Sequence, residues 1–138
     1  MNRANIGWAM RDFTPKRPAM IQGQMHRRIG KSAMDPLTVT AFAIESERDR
    51  AIIISTDMAY IMEELVTEVA VLIRKECKDI NEENLIINAT HTHTSLVIDD
   101  DFYDYPGGEV MRPMEARALL AEKCAEAAIE AWKNKRPM

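Results

Sequence analysis

The sequence predicts an α/β fold in which a mixed β-sheet is covered by amphipathic helices. Two neighbouring runs of β-forming residues are separated by a short charged turn, an amphipathic helical pattern follows them, and a short apolar run comes after the helix. A strand–helix–strand order favours a parallel pair of strands with a right-handed crossover. The chain has 138 residues, which is the size of one domain, so a single domain over residues 1–138 is expected.

The first predicted element is a strand from Ile6 to Phe13, where apolar and polar residues alternate loosely. It ends at Thr14-Pro15, because proline removes a donor from the β-ladder. The segment from Lys16 to Pro36 contains Gly23 and Gly30 and shows no periodicity. We therefore predict a long loop there, and long loops in compact domains often carry function.

The remaining elements follow in a regular order. Leu37 to Ser46 and Ala51 to Thr56 predict a β-hairpin joined by a charged turn. Apolar residues at three- and four-residue steps predict an amphipathic helix from Tyr60 to Lys78. Asn84 to Ala89 is typical of a strand buried on both faces. An alanine-rich amphipathic helix is predicted from Glu115 to Lys133.

Composition excludes several classes of protein. The chain is 46% apolar and 29% charged, as in a globular domain, and its net charge of −4 gives little support to a nucleic-acid partner. It contains neither a secretion signal nor an apolar stretch of about 20 residues, so we expect a cytoplasmic protein that is not an integral membrane protein. Cys77 and Cys124 both fall in predicted helices, where buried thiols are simpler than a disulfide.

Two of the three histidines follow the fourth predicted strand directly. Side chains alternate along an extended backbone, so His91 and His93 should leave one face, with the neighbouring threonines on the other. Two imidazoles at this spacing could supply part of a zinc site. The plainer interpretation is a pair of solvated histidines in a polar loop. The preceding apolar strand favours the metal or catalytic interpretation.

The stretch Asn88-Ala89-Thr90-His91-Thr92-His93-Thr94-Ser95 resembles the Thr-His-Thr-His-Ser signature of the neutral and alkaline ceramidases, zinc amidases that split the N-acyl bond of ceramide. Weaker matches at Ile6 to Pro15, Leu37 to Ile44 and Ile54 to Met58 keep the family's order. The likeness spans nearly all of this chain and only the first part of a family member. The family's Ser-Gly-Pro-Gly-Gly after the second histidine is replaced here by Thr94 to Asp101. The chain is thus similar to the N-terminal portion of a ceramidase-like domain.

The resemblance implies roles for three residues. His91 would ligate zinc, and His93 would act as the acid/base or orienting group, with direct ligation by both histidines as the rival geometry. Asp57 would belong to a second site for a hard cation, although a cap on the following helix suits its position equally well. His26, or an acid between Asp99 and Asp104, could supply a third zinc ligand.

The implied activity is hydrolysis of an amide by a metal-activated water, on a small amide or N-acyl compound. The family's further ligands match nothing before Met138, so we expect a truncated domain that is incomplete alone, and whether it is an enzyme by itself stays open. A non-catalytic α/β binding module is the alternative. A TIM-barrel amidohydrolase is opposed by the length of 138 residues. A half-built domain should expose apolar surface and form a homo-oligomer.

Overall fold

Five strands form the central sheet of the structure, a computed structural model that describes residues 4–138. Two further strands form a small separate sheet, and two helices complete the fold. In chain order the elements are β1 Asn5–Asp12, β2 Ala19–Ile21, β3 Arg28–Gly30, β4 Thr38–Glu45, β5 Arg50–Thr56, α1 Glu63–Arg74, a 3-10 turn Glu82–Asn84, β6 Leu85–Ala89, α2 Pro113–Lys133 and β7 Arg136–Pro137.

The central sheet is mixed, as the sequence predicts. Its strands lie in the order β6-β5-β4-β1-β7, and β4 pairs antiparallel with both β1 and β5. The strand β6 runs parallel to β5, in a register from Ile52↔Leu85 to Thr56↔Ala89. As a result β1, β5 and β6 all end at one edge of the sheet, which we call the site edge. The α/β fold class is confirmed.

The core lies between one face of the sheet and the two helices. Ala41 and Ala43 of β4 are fully buried, and α2 presents a stripe of alanines to the sheet. Small side chains allow a close approach, and a Cβ added at Gly7 would lie 2.1 Å from the backbone oxygen of Ala131. Burial raises the pKa of the Cys124 thiol to about 12, so this cysteine is a core side chain.

The first helix is shorter than predicted. The prediction was Tyr60 to Lys78, and the structure places α1 at Glu63–Arg74. Ile61 and Met62 pack against the core ahead of the helix, and the chain after Arg74 tightens into turns such as Glu76 N–H to Ile73 O. No helix within residues 4–138 combines the length and the apolar character that a membrane span requires.

The prediction of a loop from Lys16 to Pro36 is wrong in part. This segment contains β2 and β3, which pair antiparallel from Ala19↔Gly30 to Ile21↔Arg28. Strands of three residues are too short to show alternation, which explains why the sequence pattern misses them. Ile21 forms a bridge with Leu96, so the small sheet packs against the chain that follows the histidines.

Candidate functional site

The histidines follow β6 at the site edge, where the backbone leaves the sheet. Thr90 N–H still donates to Thr56 O at 2.9 Å, which extends the parallel ladder by one residue. His91 then adopts a positive φ of 64°. The expectation of an extended backbone through both histidines is therefore wrong. The chain must turn here because Ser95 to Ile98 go on to be buried.

The two imidazoles nevertheless meet. Their ring centroids are 4.8 Å apart in an edge-to-face arrangement, and the two Nε2 atoms are 3.3 Å apart. His91 Nδ1 lies 2.6 Å from the carbonyl oxygen of Ala59. A carbonyl oxygen can only accept, so Nδ1 of His91 carries the proton and its Nε2 keeps a lone pair when the ring is neutral. Both histidines are exposed.

The hairpin of β2 and β3 holds His93 from the other side. Arg28 donates from one guanidinium nitrogen to the backbone oxygen of His93 at 2.6 Å and to that of Gln22 at 3.0 Å. Gly23 has a φ of 110°, and a Cβ there would lie 2.5 Å from the Cβ of His93. Sequence reasoning missed both contacts, although Gly23 between two glutamines is a signal of a tight turn.

Further contacts fix the chain on either side of the histidines. Gln22 N–H donates to Ser95 O at 2.9 Å, and the buried Ser95 hydroxyl donates to Met58 Sδ at 3.1 Å.

Tyr60 directly follows Ala59, whose carbonyl oxygen accepts the hydrogen bond from His91. Burial raises the pKa of the Tyr60 phenol, and the charge of Asp99 adds to the rise, so this hydroxyl stays protonated at neutral pH.

Asp57 lies at the same edge and connects three strands. Its Oδ2 accepts from Thr38 N–H at 2.9 Å and from the Thr38 hydroxyl at 2.7 Å, and its Oδ1 accepts from the Thr90 hydroxyl at 3.3 Å. The alternative role as a helix cap is wrong, because α1 begins after Met62 and no side chain among residues 4–138 caps its first turn. Asp57 thus joins the start of β4 to the end of β6.

A cleft of about 540 Å³ opens beside Asp57. Thr92 and Thr94 line it, and their hydroxyl oxygens are 2.9 Å apart. Its described lining residues do not include either histidine. Thr92 and Thr94 thus line this cleft, whereas the histidines do not. Other side chains of the cleft are Arg17, Lys31, Met34 and Asp35.

The two histidines fit part of a zinc site. Two nitrogens that each lie about 2.0 to 2.1 Å from a tetrahedral zinc ion are about 3.3 to 3.4 Å apart. The observed separation of the Nε2 atoms is 3.3 Å. Across residues 4–138, no group of three or more His, Cys, Asp or Glu side chains is placed to hold a metal ion. The structure thus joins neither His26 nor an acid from Asp99 to Asp104 to this pair.

Known structures share this fold. The neutral ceramidase from Pseudomonas aeruginosa matches with a TM-score of 0.78 at 18% identity, over 99% of this chain and 22% of that chain. A structure described as ceramidase complexed with C2 matches with a TM-score of 0.67 at 17% identity, over the same shares. No family model and no curated protein sequence matches. This chain therefore spans about a fifth of the ceramidases it resembles, and the comparison confirms the predicted ceramidase-like fold.

Proposed function

We propose that this chain carries the histidine half of a zinc-dependent amide hydrolase site. His91 is the metal ligand, His93 is the acid/base or orienting group, and the substrate is a small amide or N-acyl compound. One observation carries the proposal: the Nε2 atoms of the two histidines converge to 3.3 Å at the end of β6 in a ceramidase-like fold.

The surroundings of His91 suit a metal ligand. Its Nδ1–H donates to the Ala59 carbonyl, which fixes the tautomer and the orientation of the ring and raises the basicity of Nε2. Zinc, when bound, supplies Lewis acidity that activates water and polarises an amide carbonyl. The protein holds the His91 ring in place and keeps the imidazole of His93 close enough to give or take a proton.

The protonation of His93 suits the acid/base or orienting role. Because His91 Nε2 has the lone pair, the hydrogen bond between the rings requires Nε2–H of His93 as the donor. A ring that holds a proton close to the metal-binding nitrogen can donate to a leaving amine or orient water. In the rival geometry both Nε2 atoms would hold the ion, and His93 would carry its proton on Nδ1 instead.

Two imidazoles make a weak site, because zinc sites normally have three or four protein ligands. The remaining ligands would come from further sequence or from a partner chain. Asp57 is the proposed residue of a second, hard-cation site, since carboxylate oxygens suit such ions. The cytoplasmic location stays a prediction from the sequence.

A second candidate function is a non-catalytic α/β binding module. The face of the central sheet that points away from the helices favours it, because large apolar side chains such as Trp8 and Ile53 are exposed there. The two functions differ in what zinc should do. A binding module has no need of the histidine pair, and replacing either histidine would leave its interactions unchanged.

Zinc titration against a competing chelator tests the proposal. We expect micromolar or weaker binding by the chain, at least tenfold weaker binding after His91→Ala, and no change after His26→Ala, which removes the third histidine. Binding should weaken as pH falls below neutral, because protons compete for the ligand nitrogens. If His93 is the acid/base, His93→Ala retains most of the affinity, whereas direct ligation predicts a loss as large as that of His91→Ala.

An amide hydrolysis assay with a fluorogenic N-acyl substrate completes the test. The chain alone should show no turnover until the missing ligands are supplied. Turnover by the chain alone would show that those ligands are not required. Zinc binding that survives His91→Ala would contradict the assignment of the ligand.

A further inference from the structure

The face of the central sheet that points away from the helices carries a row of large apolar side chains. Trp8 pairs with Phe42, Phe42 with Ile53, and Ile53 with Ile86, so one residue from each of four neighbouring strands lies in register. Trp8 is 68% exposed, Ile86 55% and Ile53 39%. We call this surface the open face.

The rows on either side are less apolar, but within these four strands they carry no charged side chain. Ile6, Ile44 and Ala51 lie in register on one side of the apolar row, and Met10, Thr40, Ser55 and Asn88 lie on the other. In the described strands, the charged residues on this face are Asp12 and Arg136, at opposite ends of β1. A solvated sheet face normally alternates to polar residues. The open face instead exposes a continuous row of large apolar side chains at its centre.

The area of the open face can be compared with that of known interfaces. Four strands about 4.8 Å apart and seven residues of about 3.3 Å rise give a projected area of roughly 450 Å² per copy. Projecting side chains such as Trp8 and Met10 raise the accessible area above this value. Two such faces give roughly 900 Å² of projected area, and the projecting side chains bring the buried area toward about 1,200 Å², the small end of the range for specific protein interfaces.

The charges favour a second copy of the same chain as the occupant. The face carries no excess of one sign that would repel an identical face, although the whole chain has a net charge of −4. If two copies stack antiparallel about a two-fold axis, Asp12 of one copy approaches Arg136 of the other. Arg136 lies on β7, beside the start of β1. The same stacking puts Trp8 and Met10 of both copies together at the centre of β1.

We propose that the open face is the interface of a homodimer in which two sheets pack face to face. Sheets that pack in this way lie about 10 Å apart, with interdigitated side chains. The interface lies on the side of the sheet opposite the helices and leaves the histidines exposed at the site edge. It is independent of the proposed zinc site, and because the area is small we expect a dimer that dissociates in the micromolar range.

Sedimentation equilibrium of the chain and two matched variants tests this proposal. Ile53→Lys adds a charge at the centre of the open face, where 39% exposure leaves room for it in the monomer. Val71→Lys adds the same charge on α1, at a residue that is 56% exposed. We expect Ile53→Lys to weaken the dimer at least tenfold and Val71→Lys to leave it unchanged. Circular dichroism checks that both variants fold.

Tryptophan quenching identifies which surface is covered. Trp8 is exposed and Trp132 is only 8% exposed, so acrylamide should quench mainly Trp8 in the monomer. Quenching should fall as the protein concentration rises through the dissociation constant. A monomer at 200 μM, or a dimer in which Trp8 stays quenchable and Ile53→Lys has no effect, would overturn the proposal.

Discussion

Asp57 and His91 follow neighbouring parallel strands at the same edge of the sheet, yet the polar atoms of their side chains make different contacts. Both carboxylate oxygens of Asp57 accept hydrogen bonds from Thr38 and Thr90. Nδ1 of His91 is anchored on a backbone carbonyl, while its Nε2 faces Nε2 of His93. The end of β5 therefore holds strands together, whereas the proposed ligand nitrogen after β6 contacts another imidazole.

The difference shows how a strand-end position should be interpreted. Hydrogen bonds to a charged group contribute about 1.5 to 3 kcal/mol each when buried, so Asp57 has a structural role whether or not it also binds a cation. The exposed histidines form few contacts that stabilise the fold. The positive φ at His91 is an unfavourable backbone conformation, and the surrounding contacts hold the residue in it.

Gly23→Ala should have the largest effect, because it disturbs the chain that carries the histidines. The new Cβ would lie 2.5 Å from the Cβ of His93, at a φ of 110°. We expect about 3 kcal/mol lower free energy of unfolding, since strain and overpacking each cost about 1 to 3 kcal/mol. Zinc affinity should fall at least tenfold, because a shift of the His93 backbone also moves the turn that holds the proposed ligand His91.

Gly107→Ala is the matched control for this substitution. Gly107 also has a positive φ, of 82°, but no described atom lies within 4 Å of its added Cβ. It should cost about 1 kcal/mol and leave zinc binding unchanged. Urea unfolding and the zinc titration measure both quantities, and equal effects of the two substitutions would remove Gly23 from the site.

Asp57→Ala removes the carboxylate that joins β4 to the end of β6. It removes the acceptor for Thr38 and Thr90, and we expect a loss of about 2 kcal/mol in the free energy of unfolding, because Asp57 is only partly buried. Zinc affinity, measured where the variant is folded, should stay within about threefold. A large loss of zinc affinity with intact stability would make Asp57 a ligand of the same ion.

Arg28→Met should have a smaller effect on the chain that carries the histidines. It removes the hydrogen bonds to the backbone oxygens of His93 and Gln22 and keeps much of the aliphatic side chain. We expect a loss of about 1 kcal/mol in stability and a severalfold loss of zinc affinity, since Arg28 holds the backbone of the turn that carries the proposed ligand His91. Arg48→Met, in the exposed turn after β4, is the control and should change neither quantity.

Most of the central sheet could be predicted from the sequence, because its strands and helices are long enough to show a period. The predicted strand from Asn84 to Ala89 is β6 with a one-residue difference at its start, and the predicted hairpin is β4 and β5. The small sheet was missed because three residues show no period. The single-domain assignment over residues 1–138 stays a prediction.

The site could be predicted only in part. The spacing of His91 and His93 correctly indicates that the two imidazoles come together, yet an extended backbone is not the cause. The chain turns at His91, and contacts from distant residues hold the rings in place. Gly23, Arg28 and the carbonyl of Ala59 lie 32 to 70 positions away in the chain, where no local pattern connects them to a histidine.

The proposed role of His91 as the metal ligand depends on its tautomer, which nitrogen-15 NMR of the three imidazoles measures. At pH 8 without zinc, we expect His91 to carry its proton on Nδ1, because that nitrogen donates to the Ala59 carbonyl. Added zinc should shift Nε2 of His91 most strongly and leave His26 unchanged. A proton on Nε2 of His91, or zinc shifts confined to His26, would contradict the account.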